Sequence, residues 1–309
     1  MTAPISLSRR VIQGSEGGPQ LLITAGVHGD EFEGMAATRR LIATLDPNGL
    51  RGAVTLVPVV NEPAFHRGQR TAEDGLDLAR RCPGDSQGSV TDRIAHALTC
   101  LIRTANFYID LHSGGMAVQV TPLAGYMLHP DIRVLDAQRR MARAFNLPLV
   151  WGTSPTLQGR SLSVARDAGV PAIYAEYLGA GVCSAQGVND YYEGCLNVMA
   201  ELGMIRRPAF VSKVELVEED PRPDSGHLQV AHPAPLTGYF EPAVKLRQEV
   251  RVGELLGRVV DCLGDEVHEV RAQQQGLVIC LAAFARVTAG AGLAVVLETG
   301  RAASPAATN

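Results

Sequence analysis

Apolar and polar positions fall into two textures along this chain, and the change comes near residue 208. Before it, short unbroken apolar runs alternate with stretches of helical period. That pattern belongs to strands buried on both faces and joined by amphipathic helices. Residues 21–27 and 54–61 read as strands. Between them Phe32, Met35, Ala36, Ile42 and Leu45 mark the buried stripe of a helix over 31–45, so the chain builds a βαβ unit early. Residues 5–13 suit an edge strand. The alternation then continues with strands at 106–112, 125–129, 148–151 and 170–181 and helices at 88–104, 133–145, 161–169 and 187–203. Residues 62–88 break it: they are rich in Gly, Asp, Arg and Pro, show no period, and are long enough to suggest a functional loop.

After residue 208 the runs are short, at 228–230, 238–240, 255–260, 267–270, 277–281 and 294–297, with Gly, Pro and Asp between them. Evenly spaced short strands predict a small all-β domain. The expected organisation is an α/β domain over 1–207, a β domain over 208–300 and a disordered tail at 301–309.

At 309 residues and 46% hydrophobic the chain can bury a large core and is long enough for two domains. Its formal charge is −4, and the basic residues are scattered arginines with Lys213 and Lys245 as the lysines. Neither a nucleic-acid footprint nor attraction to an anionic membrane is expected from that balance. Cys82, Cys100, Cys183, Cys195, Cys262 and Cys280 form no Cys-x-x-Cys pair, which suits buried free thiols in a reducing compartment. Residues 1–20 lack a signal-peptide core and no apolar run approaches a membrane span, so a soluble cytoplasmic protein is expected.

The chemistry gathers at strand ends. His28 and Glu31 of His28-Gly-Asp-Glu31 lie where the first strand meets its helix, and His112 closes the strand before Ser-Gly-Gly. Two histidines, a carboxylate and a water form a usual catalytic zinc shell. Ligand sites in open α/β sheets lie beyond the carboxyl ends of the strands, so His112 can meet the other two across a long separation. Glu176 interrupts an apolar strand, where a carboxylate is costly without a task. In a zinc site that task would be general base. The arginines of the long loop, including Arg67, Arg70, Arg80 and Arg81, could bind a carboxylate or steady an oxyanion, though composition alone favours solvated loop charges. His96 and Cys100 fit a helix stripe, and His129 before Pro130 fits a loop.

Taken in order, His28, Glu31, Arg70, Arg80, His112 and Glu176 on a βα scaffold resemble the succinylglutamate desuccinylase/aspartoacylase family across essentially the whole chain. The resemblance implies a zinc-carboxypeptidase-like mixed sheet flanked by helices. It implies one Zn²⁺ per chain on His28, Glu31 and His112, Glu176 as general base, Arg70 on the scissile carbonyl and Arg80 on a substrate carboxylate. The family usually has Asn-Arg where this chain has Ala79-Arg80, and Arg160 is a candidate second cation for that carboxylate. Residues 233–297 resemble a biotinyl/lipoyl-like barrel-sandwich, but 261–267 holds no carrier lysine, so a structural rim is expected. Tyr239 could reach the substrate, although a packed aromatic is the simpler expectation. The implied activity is metal-dependent hydrolysis of a small N-acyl amino acid, at a carbon–nitrogen bond other than a peptide bond. Peptide-trimming carboxypeptidase and silent binding protein are the alternatives. A small-molecule partner is implied, and a homo-oligomer is left open.

Overall fold

The computed structural model describes residues 5–228 and 230–299. The expected tail at 301–309 lies outside the described residues. The chain runs β1 (Arg10–Gln13), β2 (Glu16–Ala25), α1 (Phe32–Thr44), β3 (Arg51–Val57), α2 (Glu62–Arg67), α3 (Val90–Thr104), β4 (Phe107–Leu111) and β5 (Val118–Met127). It continues with α4 (Ile132–Phe145), β6 (Leu149–Thr153), α5 (Ser161–Asp167), β7 (Ala172–Gly179), α6 (Ala185–Glu201) and β8 (Leu216–Glu219). Seven strands follow: β9 (Gly238–Pro242), β10 (Glu249–Val250), β11 (Leu255–Val260), β12 (Val267–Arg271), β13 (Gly276–Ala282), β14 (Arg286–Val287) and β15 (Ala294–Leu297).

The helices and strands of the first half lie close to where the apolar pattern puts them, although α1 buries Met35, Ala37 and Leu41 and leaves Phe32, Ile42 and Leu45 of its expected stripe half-buried against the core. Helix α3 begins at a Ser89 capping box closed by Asp92, and α6 at the Ser184 side chain, so local polar chemistry fixes both starts. Strand β5 is longer than the expected 125–129. It starts at Val118 because its first residues pair with β13, a partner far along the chain. The long loop is also less irregular than its composition suggests. Asn61 caps the short helix α2, and Asp77 caps a single helical turn over Leu78–Arg80.

The main sheet runs β1-β3-β2-β4-β7-β5, with β2, β3, β4 and β7 mutually parallel and β5 antiparallel to β7. Strand β5 then forks. Its second half pairs with β6, which carries β8, and its first half pairs with β13, which carries β10 and β15. A second antiparallel sheet has the order β12-β11-β9-β14. The main ladder therefore crosses residue 208. Strand β8 was missed because its four residues, Leu-Val-Glu-Glu, are all half-buried and show no alternation. No strand covers Leu228 or Val230 of the expected 228–230 run, and Gln229 lies outside the described residues.

One apolar cluster packs α1, α4 and α6 on one face of the sheet through Leu41, Met141, Phe145, Tyr191 and Val198. The other face packs α3 and α5 through Ile94, Leu98, Leu162 and Ala165. All six cysteines are free. Cys82, Cys195 and Cys280 are buried as expected, whereas Cys100, Cys183 and Cys262 are exposed, a correction that follows from their places on a helix surface and in loops. No helix among the described residues is long and apolar enough to cross a membrane.

Candidate active site and metal centre

The parallel strands β2, β4 and β7 are neighbours, so their carboxyl ends bring three distant segments to one edge. His28 and Glu31 follow β2, His112 follows β4, and Glu176 lies near the end of β7. The loops behind β4 and β7 are stitched together: Gly114 N–H donates to the Leu178 carbonyl at 2.9 Å and Gly181 N–H to the Gly115 carbonyl at 2.9 Å. Gly179 sits there at φ +133°, and a Cβ on it would fall 2.6 Å from Gly114 Cα, so only glycine allows the two loops this approach. Tyr191 of α6 adds a hydrogen bond from its hydroxyl to the His112 carbonyl at 2.5 Å.

The metal-ligand candidates converge. His28 Nδ1 is 2.6 Å from Glu31 Oε1 and His112 Nδ1 is 3.0 Å from Glu31 Oε2, with the His28 and His112 ring centroids 5.5 Å apart. One atom from each of the three residues lies within 4.8 Å of the others, and this is the one such group that could hold a metal ion among the described residues.

The outer nitrogens complete the arrangement. His28 Nε2 meets Asp77 Oδ1 at 3.0 Å, and His112 Nε2 meets Asp110 Oδ2 at 3.1 Å. With Nε2–H given to a carboxylate, the Nδ1 lone pair of each ring is left for an ion, the usual support for a metal-binding histidine. Asp110 is fully buried and accepts from Thr24 Oγ1 at 2.7 Å and Ser161 Oγ at 2.5 Å, which fixes both its oxygens. The residues present therefore fit a divalent cation.

Burial would raise the Glu31 carboxyl, but the His28 and His112 charges outweigh it and hold the group well below the usual carboxylate range. Asp77 is held low in the same way by His28 and Arg70 against its burial. Glu176 goes in the opposite direction. Burial pushes it up to about 8, opposed by His112 and reinforced by the Glu31 charge. Its Oε2 is buried without a hydrogen-bond partner, whereas both oxygens of Glu31 and Asp110 are engaged.

One cleft holds these residues, with about 820 Å³ of empty space when its open mouth is included. It brings together all seven residues singled out in the sequence: His28, Glu31, Arg70, Arg80, His112, Arg160 and Glu176. Arg70 pairs with Asp77 at 3.1 Å and Glu31 at 3.5 Å. Arg80 is exposed at the cleft and donates to the Ala79 carbonyl at 2.9 Å. Arg160 donates to the Gly226 carbonyl at 3.0 Å, and burial with the neighbouring Arg80 charge brings its guanidinium down to about 10.

The other arginines of the loop behave as solvated or structural charges, with Arg67 on Gln69 and Arg81 on Asp92. His129 is a loop histidine beside Asp131 and the Arg166 carbonyl, and Tyr239 is half exposed and does not line the cleft.

Sequence reasoning missed the two aspartates behind the histidines. Asp110 carried a usable signal, since it is an acid inside an apolar strand, the same feature that drew attention to Glu176. Asp77 carried none, because a loop acid is ordinary until the fold places it. Gly226 and Leu228, which close the cleft from beyond α6, were equally silent.

The succinylglutamate desuccinylase/aspartoacylase catalytic domain model matches residues 17–202. The N-alpha-acetyl-L-2,4-diaminobutyric acid deacetylase of Halomonas elongata is 31% identical over 299 residues, covering 91% of this chain and 82% of that protein. The product-bound ectoine utilization protein EutE (DoeB) of Ruegeria pomeroyi superimposes with a TM-score of 0.86 at 29% identity, covering 94% of this chain and 88% of that one. A succinylglutamate desuccinylase from a Silicibacter species gives 0.85 at 27% identity with the same coverage of both chains. A strand-end His/Glu/His group on this mixed sheet and a catalytic-domain match across most of the chain's α/β portion agree: the chain belongs to the succinylglutamate desuccinylase/aspartoacylase family.

Proposed function

We propose that this protein is a zinc-dependent deacylase that cleaves the amide of a small N-acyl amino acid. The observation that carries the reading is the pairing, in one cleft, of a carboxylate-backed His28–Glu31–His112 group with Glu176, whose Oε2 is buried without a partner. The family supports amide hydrolysis, and the relative named as a deacetylase of an N-acetylated amino acid favours a small substrate over a peptide. His28, Glu31 and His112 would hold one Zn²⁺ per chain, which when bound lowers the pKa of a water and polarises a carbonyl.

The remaining tasks fall to the chain's own side chains. Glu176, raised by burial, accepts the proton of the attacking water and delivers it to the leaving nitrogen; a base whose pKa lies near working pH can do both. Arg70, fixed by Asp77 beside the metal ligands, faces the developing oxyanion. Arg80 and Arg160 hold the substrate carboxylate: both line the cleft, and neither has a carboxylate within ion-pair distance among the described residues. Ala79, where the family usually has an amide, leaves the work to these cations. Gly226 and Leu228, from beyond residue 208, act as a rim that closes the cleft. A cytoplasmic setting suits the free thiols.

Asp110→Asn should weaken metal binding about 10–100-fold, because the amide no longer holds the His112 ring as the carboxylate does. Competition against a chelator measures it, and unchanged affinity in the folded variant would remove Asp110 from the metal site. Glu176→Gln should keep the metal and bind substrate while kcat falls on the order of 10²–10⁴-fold. Loss of metal in that variant, with activity recovered on adding zinc, would make Glu176 a ligand instead. Arg80→Ala should raise KM for an N-acetyl amino acid by roughly 10–100-fold, the equivalent of one charge-assisted contact. Assays over a panel of N-acyl amino acids and their amide-capped forms decide this. Equal losses on acid and capped substrate would mean that no carboxylate sits at Arg80.

A further inference from the structure

The wall of the cleft contains a phenol to which the chemistry above gives no task. Tyr174 stands two residues before Glu176 on β7, so the two side chains share a face, one pleat or roughly 6–7 Å apart along the strand. Its register partners on the neighbouring strands are Asp110 and Gly125. Gly125 offers no side chain, and a Cβ there would lie 2.3 Å from the Tyr174 ring and 2.5 Å from its hydroxyl. The distal half of the ring therefore occupies the space over Gly125. Tyr174 packs against both the Met127–Leu162 cluster and the Trp151–Ile279 cluster, at the seam between them, and lines the cleft.

Its hydroxyl differs from the other phenols of the core. Tyr108 bonds Thr24, Tyr126 bonds Glu219, Tyr177 bonds Asp190 and Tyr191 bonds the His112 carbonyl. The Tyr174 hydroxyl has no hydrogen-bond partner among the described residues, although its ring is fixed on both sides. A half-buried hydroxyl held in place without a partner is set to receive one from a ligand. The groups that bear on it electrostatically are Glu176 and Arg160. A phenolic donor in the same cleft wall as a guanidinium suits an anionic oxygen, and the one-pleat offset from Glu176 suits a carboxylate a few bonds from the scissile amide.

We propose that Tyr174 is a substrate-binding and specificity residue, its hydroxyl donating, together with Arg160, to a carboxylate oxygen of the N-acyl amino acid. The inference rests on the deacylase reading above. Its test uses the full-length, zinc-loaded protein, with an N-acetyl amino acid and the matching carboxamide as paired substrates. Tyr174→Phe keeps the ring over Gly125 and removes only the donor. The acid-to-carboxamide ratio of kcat/KM should fall about tenfold, with the change carried by KM for the acid. A ratio within twofold of the wild type, or a loss carried by kcat alone, would overturn the assignment and leave the deacylase reading standing. Wild-type protein that hydrolyses neither substrate would overturn both.

Discussion

The structure of the site depends on one buried carboxylate, that of Glu31, held between two imidazoles. Asp77, His28, Glu31, His112 and Asp110 form a continuous string in which acid and imidazole alternate at contacts of 2.6 to 3.1 Å. With both imidazoles neutral, as ligands to an ion would be, the three carboxylates outnumber Arg70, the guanidinium in ion-pair contact with them among the described residues, by two negative charges. Low-dielectric surroundings penalise such an excess strongly. A divalent cation among the Nδ1 and carboxylate atoms would cancel it, the part that charged imidazoles play without an ion.

The fold's contribution is to make that string rigid. Adjacent parallel strands set the spacing of His28 and His112. The hydroxyls of Thr24 and Ser161 hold Asp110, and Tyr191 holds the backbone at His112. Glu176 stands outside the string, on the next strand, with a free buried oxygen. Two acids in one cleft are thereby given opposite tendencies, Glu31 ionised and Glu176 inclined to keep its proton. Such a division is what the proposed roles of ligand and proton carrier require.

Much of this was legible in the sequence, for identifiable reasons. Strands buried on both faces are continuous apolar runs, so a polar residue at such a run's end or within it stands out; His28, His112 and Glu176 were found that way. The family resemblance supplied the order that ties them to Arg70 and Arg80. What stayed hidden was long-range. Strand β5 begins where it does because β13 pairs with it from some 160 residues later, and the cleft is closed by Gly226 and Leu228. No local period encodes such contacts. Tyr174 was equally silent, since a tyrosine in an apolar strand is ordinary core until its hydroxyl is seen to lack a partner.

The proposed chemistry depends on an ion held by the Glu31 string. Elemental analysis of the purified protein, paired with deacylase assays before and after chelation, tests it most directly. About one Zn²⁺ per chain is expected, with activity lost on chelation and regained on adding zinc. Fully active protein containing no divalent metal would contradict the assignment of His28, Glu31 and His112.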